Sequence, residues 1–296
     1  MIKAGFVALI GQPNAGKSTL MNCLLLEKVS IVSDKPQTTR GRITGIVNAE
    51  GAQVILVDAP GTIKSTSGIN QYLQDEVNDV IANADVIGAI LSADASEEQG
   101  RDLIKAARQS GKPWVAIVTK ADLLSGTRTP KYFKYLIEEQ IPFVAISAKQ
   151  RPEEARSEFL SRVVPLLPDS PAPLFEEEIY TTQTVREMSA EFIREACFHH
   201  LHQEIPYGLA IRVNQFKDEG RLTRIQADIV VDKENHKKMV IGQKGQSLRQ
   251  IGTEARLAIE NIVGTKVFLE LHVSVKPNWT QNPRMMKELG YVVSKK

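Results

Sequence analysis

Residues 11–18 read Gly-Gln-Pro-Asn-Ala-Gly-Lys-Ser, a GxxxxGK[ST] spacing that follows the apolar run GFVALIG and precedes the amphipathic run KSTLMNCLLLEK. No other feature of the chain constrains its fold as tightly. A continuously apolar run is a strand buried on both faces, and a strand that enters a helix through a glycine loop opens a βα unit. Glycines let the loop curl until successive N–H groups and the helix N-terminus face one point, which makes a cradle for an anion. Lys17 can then reach the outer groups of a phosphate chain and the Ser18 hydroxyl can ligate Mg²⁺. Asn14, Ala15, Gly16 and Thr19 belong to the same cradle.

Four more apolar runs, AQVILVDAPG, DVIGAILSAD, PWVAIVTKAD and PFVAISAK, read as buried parallel strands, with helical patterns such as INQYLQDEVNDVIANA and GRDLIKAARQSG between them. The pattern predicts an α/β domain over residues 1–168 with a doubly wound, mostly parallel sheet and a ligand crevice at the carboxyl ends of its strands. The remaining motifs stand at those ends. Asp58-Ala-Pro-Gly61 offers a carboxylate that can hold Mg²⁺ through water and a glycine N–H that can touch a terminal phosphate. Alone, DxxG is only a turn. In Thr119-Lys120-Ala121-Asp122 the carboxylate can accept from N1–H and the 2-amino group of guanine, donors that adenine lacks, while the Lys120 stem covers the ring. Ser147-Ala148-Lys149 closes the next strand and brings backbone N–H groups toward the guanine carbonyl.

With 296 residues the chain has room for two domains, and its 42% hydrophobic and 24% charged residues exclude a disordered or low-complexity protein. Two cysteines, Cys23 and Cys197, make no disulfide or zinc framework, which fits a reducing, cytoplasmic location. No apolar run reaches membrane-spanning length, and MIKAGFVALIG reads as a first strand rather than a signal peptide. Residues 165–178 hold four prolines and four acidic residues, composition that reads as a linker, placed at 169–188.

Residues 189–296 form a second, α+β domain with the order helix, two strands, two helices, strand. Between its second and third helices stands Gly242-Gln243-Lys244-Gly245, a G-x-x-G loop of the KH kind, in which glycines admit a nucleic-acid backbone and Lys244 meets phosphate. Lys237, Lys238 and Arg249 are further candidate contacts. Residues 233–296 carry twelve Lys and Arg against five Asp and Glu on a chain of net charge +2, which favours a polyanionic partner. The cluster Cys197-Phe-His-His-Leu-His202 lies on a predicted helix that spreads its side chains apart, so it reads as structural rather than metal-binding.

With its four motifs in order at the ends of successive strands, the first domain resembles the translation-factor-related GTPases. Pro36-Gln-Thr-Thr-Arg40 resembles the switch-one element of the Era-type branch, and the αββααβ order, EFIREACFHHLHQEIPYGLAIRV and NWTQNPRMMKELGY resemble the type II KH domain of the same branch. The resemblance spans essentially the whole chain. It implies a GTP-hydrolysing switch that binds the 3′ end of small-subunit ribosomal RNA and assists small-subunit maturation. It also implies GTP, GDP and Mg²⁺ as ligands, with Thr39 joining Ser18 and Asp58 at the metal and Thr38 as the fallback. A monomer, with peripheral attachment to the inner face of the cell membrane, is a further expectation. Residues taken to drive the reaction are Lys17, Thr39, Gly61 and Asn14.

Two departures bear on activity. Ras-like GTPases place a water-orienting glutamine after the DxxG glycine, and the Era-type branch usually has an apolar residue there. This chain has Thr62, which predicts slow hydrolysis without an activator and leaves open a nucleotide-stabilised RNA scaffold in which hydrolysis is incidental. Asn14 offers compensation, since its likeness in relatives helps hold a K⁺ ion that neutralises charge in the transition state. The other departure is Thr119, where asparagine is commoner; it predicts weaker nucleotide binding with the base choice unchanged.

Overall fold

The computed structural model describes residues 1–33, 35, 39–61, 68–124 and 131–291. They divide into two compact units, the first of residues 1–61 and 73–182 and the second of residues 68–72 and 183–291. The first contains β1 (Ile2–Gly11), α1 (Lys17–Leu25), β2 (Ile43–Ala49), β3 (Ala52–Asp58), α2 (Gly68–Asn83) from Leu73 onward, β4 (Val86–Ser92) and α3 (Glu97–Gln109). It continues with β5 (Trp114–Thr119), α4 (Lys131–Glu138), β6 (Phe143–Ala145), α5 (Pro152–Val163) and β7 (Asp169–Ser170). Among the described residues these strands form one sheet in the order β2-β3-β1-β4-β5-β6, with β7 beside the first residues of β1.

The five runs read as buried parallel strands are β1, β3, β4, β5 and β6, and all their pairings with one another are parallel. Alternate residues of β1 feed two cores. Val7 and Leu9 pack with Leu20 and Met21 of α1 and Phe159 of α5, and Ala8 and Ile10 pack with Val77 of α2, Ile104 of α3 and Leu136 of α4. Burial on both faces is why these strands read as unbroken apolar runs. The sequence reading passed over β2, which pairs antiparallel with β3 from Ile43↔Asp58 to Ala49↔Ala52. Its signal is the two-residue turn at Glu50-Gly51, where Gly51 takes φ 67°.

The expected linker at 169–188 is divided differently. Its first part lies on the first unit: β7 joins the sheet, Leu174 N and Phe175 N donate to Gln53 Oε1 at 2.7 and 2.9 Å, and Gln53 Nε2 donates to Phe175 O at 2.9 Å. Farther on, Ile46 N donates to Tyr180 O at 2.9 Å and the Thr181 hydroxyl to Thr44 O at 2.6 Å, which covers the outer edge of β2. A proline-rich segment cannot form a regular ladder, so buried Gln53 supplies partners for its backbone. Its last residues belong to α6 (Val185–His200), which starts four residues before the expected Ser189 because Thr184 and Glu187 form a capping box.

After α6 the second unit runs β8 (Ala210–Asp218), β9 (Leu222–Val231), α7 (Glu234–Ile241), α8 (Gln246–Val263), β10 (Lys266–Val275) and α9 (Pro283–Glu288). This is the expected αββααβ order with a short helix appended. The sheet order is β10-β9-β8, parallel between β10 and β9 and antiparallel between β9 and β8. Thr223, Ile225 and Ala227 of β9 are buried while Arg224 and Gln226 between them are exposed, so one face of the sheet is covered and the other is open. No helix among the described residues is long and apolar enough to cross a membrane.

Candidate functional site: a phosphate-and-base cleft and a KH loop

At the phosphate end β1 hands over to α1 through a loop in which Asn14 and Gly16 have φ of 61° and 85°. Asparagine is among the few side chains that tolerate this left-handed conformation. Where α3 closes its N-terminus with the Ser96–Gln99 capping box, α1 starts at Gly16 with no side-chain cap and no acidic residue in its first turn. Its free N–H groups and positive dipole end are left for an anion. Lys17 is buried, and its Nζ donates to Gly11 O at 3.1 Å and Gln12 O at 3.2 Å, spanning the loop. Burial lowers its pKa, and the Asp58 carboxylate opposes that shift.

Asp58, at the end of β3, is fully buried. Its Oδ2 accepts from Ser18 Oγ at 2.7 Å, from Ser30 Oγ at 3.3 Å and from Thr39 Oγ1 at 3.4 Å, and the Ser18 and Thr39 hydroxyls are 3.0 Å apart. The three candidate metal residues, Ser18, Thr39 and Asp58, therefore meet at one point. Ser30 joins them without having been foreseen, because it reaches the site from a loop that carries no motif. Burial pushes the Asp58 carboxyl above its usual value, against Lys17 and the three hydroxyls. Asp58 Oδ1 is buried with no hydrogen-bond partner among the described residues. Two hydroxyls and a carboxylate with one unpartnered oxygen are a hard, all-oxygen donor set that fits a hydrated Mg²⁺. Gly61 lies against the loop so closely that a Cβ there would meet Pro13 Cγ at 2.8 Å and Pro13 N at 2.9 Å. Thr38 and Thr62 lie outside the described residues.

At the base end the Thr119 hydroxyl donates to Ala15 O at 2.5 Å and to Leu91 O at 3.3 Å. Thr119, which stands where asparagine is commoner, thus joins the base motif to the phosphate loop through its hydroxyl. Asp122 accepts from Ser147 Oγ at 2.6 Å, which fixes its carboxylate. Lys120 lies 3.2 Å from Asp94, an acid at the end of β4 that no motif flagged. Asn14, Gly16, Lys17, Ser18, Thr19, Thr39, Gly61, Thr119, Lys120, Asp122, Ala148 and Lys149 line one cleft of about 530 Å³. Ala15, Asp58 and Ser147 are buried. Lys17 of the phosphate loop and Asp122 of the base motif both line the cleft.

In the second unit, Gly242, Lys244 and Gly245 have φ of 72°, 51° and 76°. A Cβ on Gly242 would meet Ser247 Cβ at 2.7 Å and Ser247 N at 3.0 Å, so only glycine lets the loop fold onto the start of α8. Gln243 and Lys244 stand at its tip, with Lys244 exposed, and α8, like α1, starts on a glycine without a side-chain cap. Beside the loop a groove of about 370 Å³ runs between α8 and β10, floored by Leu248, Leu269 and Leu271 and edged by Arg249 and Arg256. Arg249 is the one basic candidate outside the loop that lines it, since Lys237 and Lys238 stand on α7. His199 and His200 both pair with Glu254 of α8, at 2.5 and 2.7 Å. Among the described residues no group of three or more His, Cys, Asp or Glu is placed to hold a metal.

Comparison with known proteins finds a family for each unit. The family described as "50S ribosome-binding GTPase" matches residues 6–120, and the KH domain family matches residues 204–280. GTPase Era of Geobacter metallireducens is 38% identical over 296 residues, covering 98% of this chain and 98% of its own length. The chain belongs to the Era family of GTPases. Another family member, from Geotalea uraniireducens, is 39% identical over the same coverage. Crystal structures agree across both units: a point variant of Aquifex aeolicus Era bound to GDP·AlF4⁻ matches with TM-score 0.89 and 32% identity over 99% of this chain and 100% of that one. Era in complex with MgGDPNP and nucleotides 1506–1542 of 16S ribosomal RNA matches equally well. The chain is accordingly a GTPase whose ligands are GTP, GDP and Mg²⁺, carrying a KH domain.

Proposed function

We propose that this GTPase grips unpaired small-subunit ribosomal RNA through its KH groove, that GTP strengthens the grip, and that the cycle serves small-subunit maturation. The observation that carries the reading is the meeting of Ser18, Thr39 and Asp58. Thr39 comes from the segment that resembles switch one, and a hydroxyl that reaches the Mg²⁺ site places that segment under the control of the nucleotide. The exposed G-x-x-G loop, the apolar groove beside it and the solved complex of Era with 16S ribosomal RNA support RNA as the partner.

In this reading the N–H groups at the start of α1 hold the phosphates and Lys17 leaves its loop carbonyls to neutralise the outer ones. Bound Mg²⁺ would offset phosphate charge, with Ser18 and Thr39 as ligands and Asp58 acting through water. Asp122, held by Ser147, accepts the two guanine donors, and Lys120, held by Asp94, covers the ring. The Gly61 N–H would meet the terminal phosphate. Asn14 lines the cleft beside the loop, where its side-chain oxygen can help hold K⁺ against the developing charge. Turnover in KCl should exceed turnover in NaCl at equal ionic strength, and equal rates would remove that ion from the scheme. Crosslinking RNA to the protein in cells, followed by sequencing, tests the partner: reads concentrated at the 3′ end of small-subunit ribosomal RNA are expected, and reads scattered in proportion to RNA abundance would contradict it.

A further inference from the structure

Three hydroxyls meet Asp58 Oδ2, and they do not all come from the same place. Ser18 and Thr39 line the cleft, whereas Ser30, whose Oγ donates to Oδ2 at 3.3 Å, is wholly buried and does not line it. Ser30 reaches Asp58 because α1 ends at Leu26, whose φ of 59° turns the chain, and Asn22 catches the chain as it returns. Asn22 Oδ1 accepts from Val29 N at 3.0 Å and from Ser30 N at 2.8 Å, and its Nδ2 donates to Ser30 O at 2.7 Å. One side chain thus fixes both backbone groups of Ser30 and with them the root of its hydroxyl. Asn22 stands one helical turn after Ser18, so this clasp is built on the helix whose N-terminus faces the phosphates.

We propose that Asn22 and Ser30 are positioning residues for Mg²⁺: Asn22 pins Ser30, Ser30 holds Asp58 Oδ2, and Oδ1, which has no hydrogen-bond partner among the described residues, is left for a water of the hydrated ion. Ser30 lies outside the cleft and acts through Asp58 rather than as a ligand. Groups that orient the ligands of a metal contribute about 10- to 100-fold to its affinity, and the long Ser30 bond belongs at the low end of that span. The inference rests on the reading of Ser18, Thr39 and Asp58 as the Mg²⁺ site.

The test uses the full chain loaded with a fluorescent GDP and reads two quantities, the Mg²⁺ concentration that half-suppresses nucleotide release and the affinity for GDP in EDTA. Ser30→Ala, which deletes a single oxygen, should raise the first about tenfold and leave the second unchanged, a split that general damage to the loop would not produce. Asn22→Ala should move the Mg²⁺ requirement in the same direction, and adding it to Ser30→Ala should move it little further, because the two residues act in series. An unchanged Mg²⁺ requirement in Ser30→Ala, an equal loss of GDP affinity in EDTA, or full additivity of the two substitutions would overturn the clasp. Asp58→Asn separates the clasp from the reading beneath it. If Asp58→Asn raises the Mg²⁺ requirement and Ser30→Ala does not, the clasp is wrong and the metal site stands; if Asp58→Asn leaves the requirement unchanged, the metal-site reading fails and the clasp with it.

Discussion

Asp58 shows how one buried carboxylate couples folding, metal and pH. Its pKa is raised by burial, so the folded chain holds this proton more tightly than the unfolded chain does. In the ligand-free protein its contribution to stability is therefore full below the ordinary carboxylate range and is lost as pH rises through the raised value. Mg²⁺ reverses the requirement, because only the ionised form serves it. Affinity for Mg²⁺–GTP should accordingly fall on acidification at a higher pH than an ordinary carboxylate would give, whereas Asp58→Asn should bind weakly with no such step; titrating affinity against pH in both proteins checks this. Thr119→Val removes the hydroxyl held by Ala15 O and Leu91 O. An unsatisfied buried partner costs about 1–3 kcal/mol, so GTP affinity should drop about tenfold or more while the preference for GTP over ATP persists. Asp122→Asn, in contrast, should remove that preference, as competition by ATP would show. Residues whose chemistry demands one side-chain type at a set spacing, such as Lys17 and Asp122, were legible in the sequence. Ser30 and Asp94 were not, because each acts through a neighbour that the fold brings to it.

Among the elements, the legible ones carry an unbroken apolar run or an apolar stripe at helical spacing. The five parallel strands announce themselves by unbroken apolar runs, and α8 by the periodicity that buries Ile251, Ala255 and Ile259. β2, α4 and α5 escaped notice. Only one side of β2 is hydrogen-bonded by a strand, and its other edge is covered by a segment whose prolines disguise it as a free linker. Gln53 holds that segment through its side-chain hydrogen bonds to Leu174 and Phe175, while Asn48 braces its amide. Gln53→Leu leaves the backbone of residues 174 and 175 without those partners and should cost about 1–3 kcal/mol, from the loss of partly buried hydrogen bonds. Denaturant unfolding would measure the loss, and limited proteolysis should show new cleavage within residues 169–182.

For the whole molecule, family membership and the two sites make a GTPase joined to an RNA-binding module, and the proposal that matters is that the two respond to each other. Linkage makes such coupling reciprocal: if GTP tightens RNA binding by some factor, RNA tightens GTP binding by the same factor. The direct measurement is the affinity of the full chain for the RNA of nucleotides 1506–1542, taken at fixed salt with Mg²⁺ and either GDP or a non-hydrolysable GTP analogue. The account predicts tighter binding with the analogue by about 5- to 150-fold, the usual span of allosteric coupling. Equal affinity in the two states would contradict it and leave a scaffold on which GTP hydrolysis has no bearing.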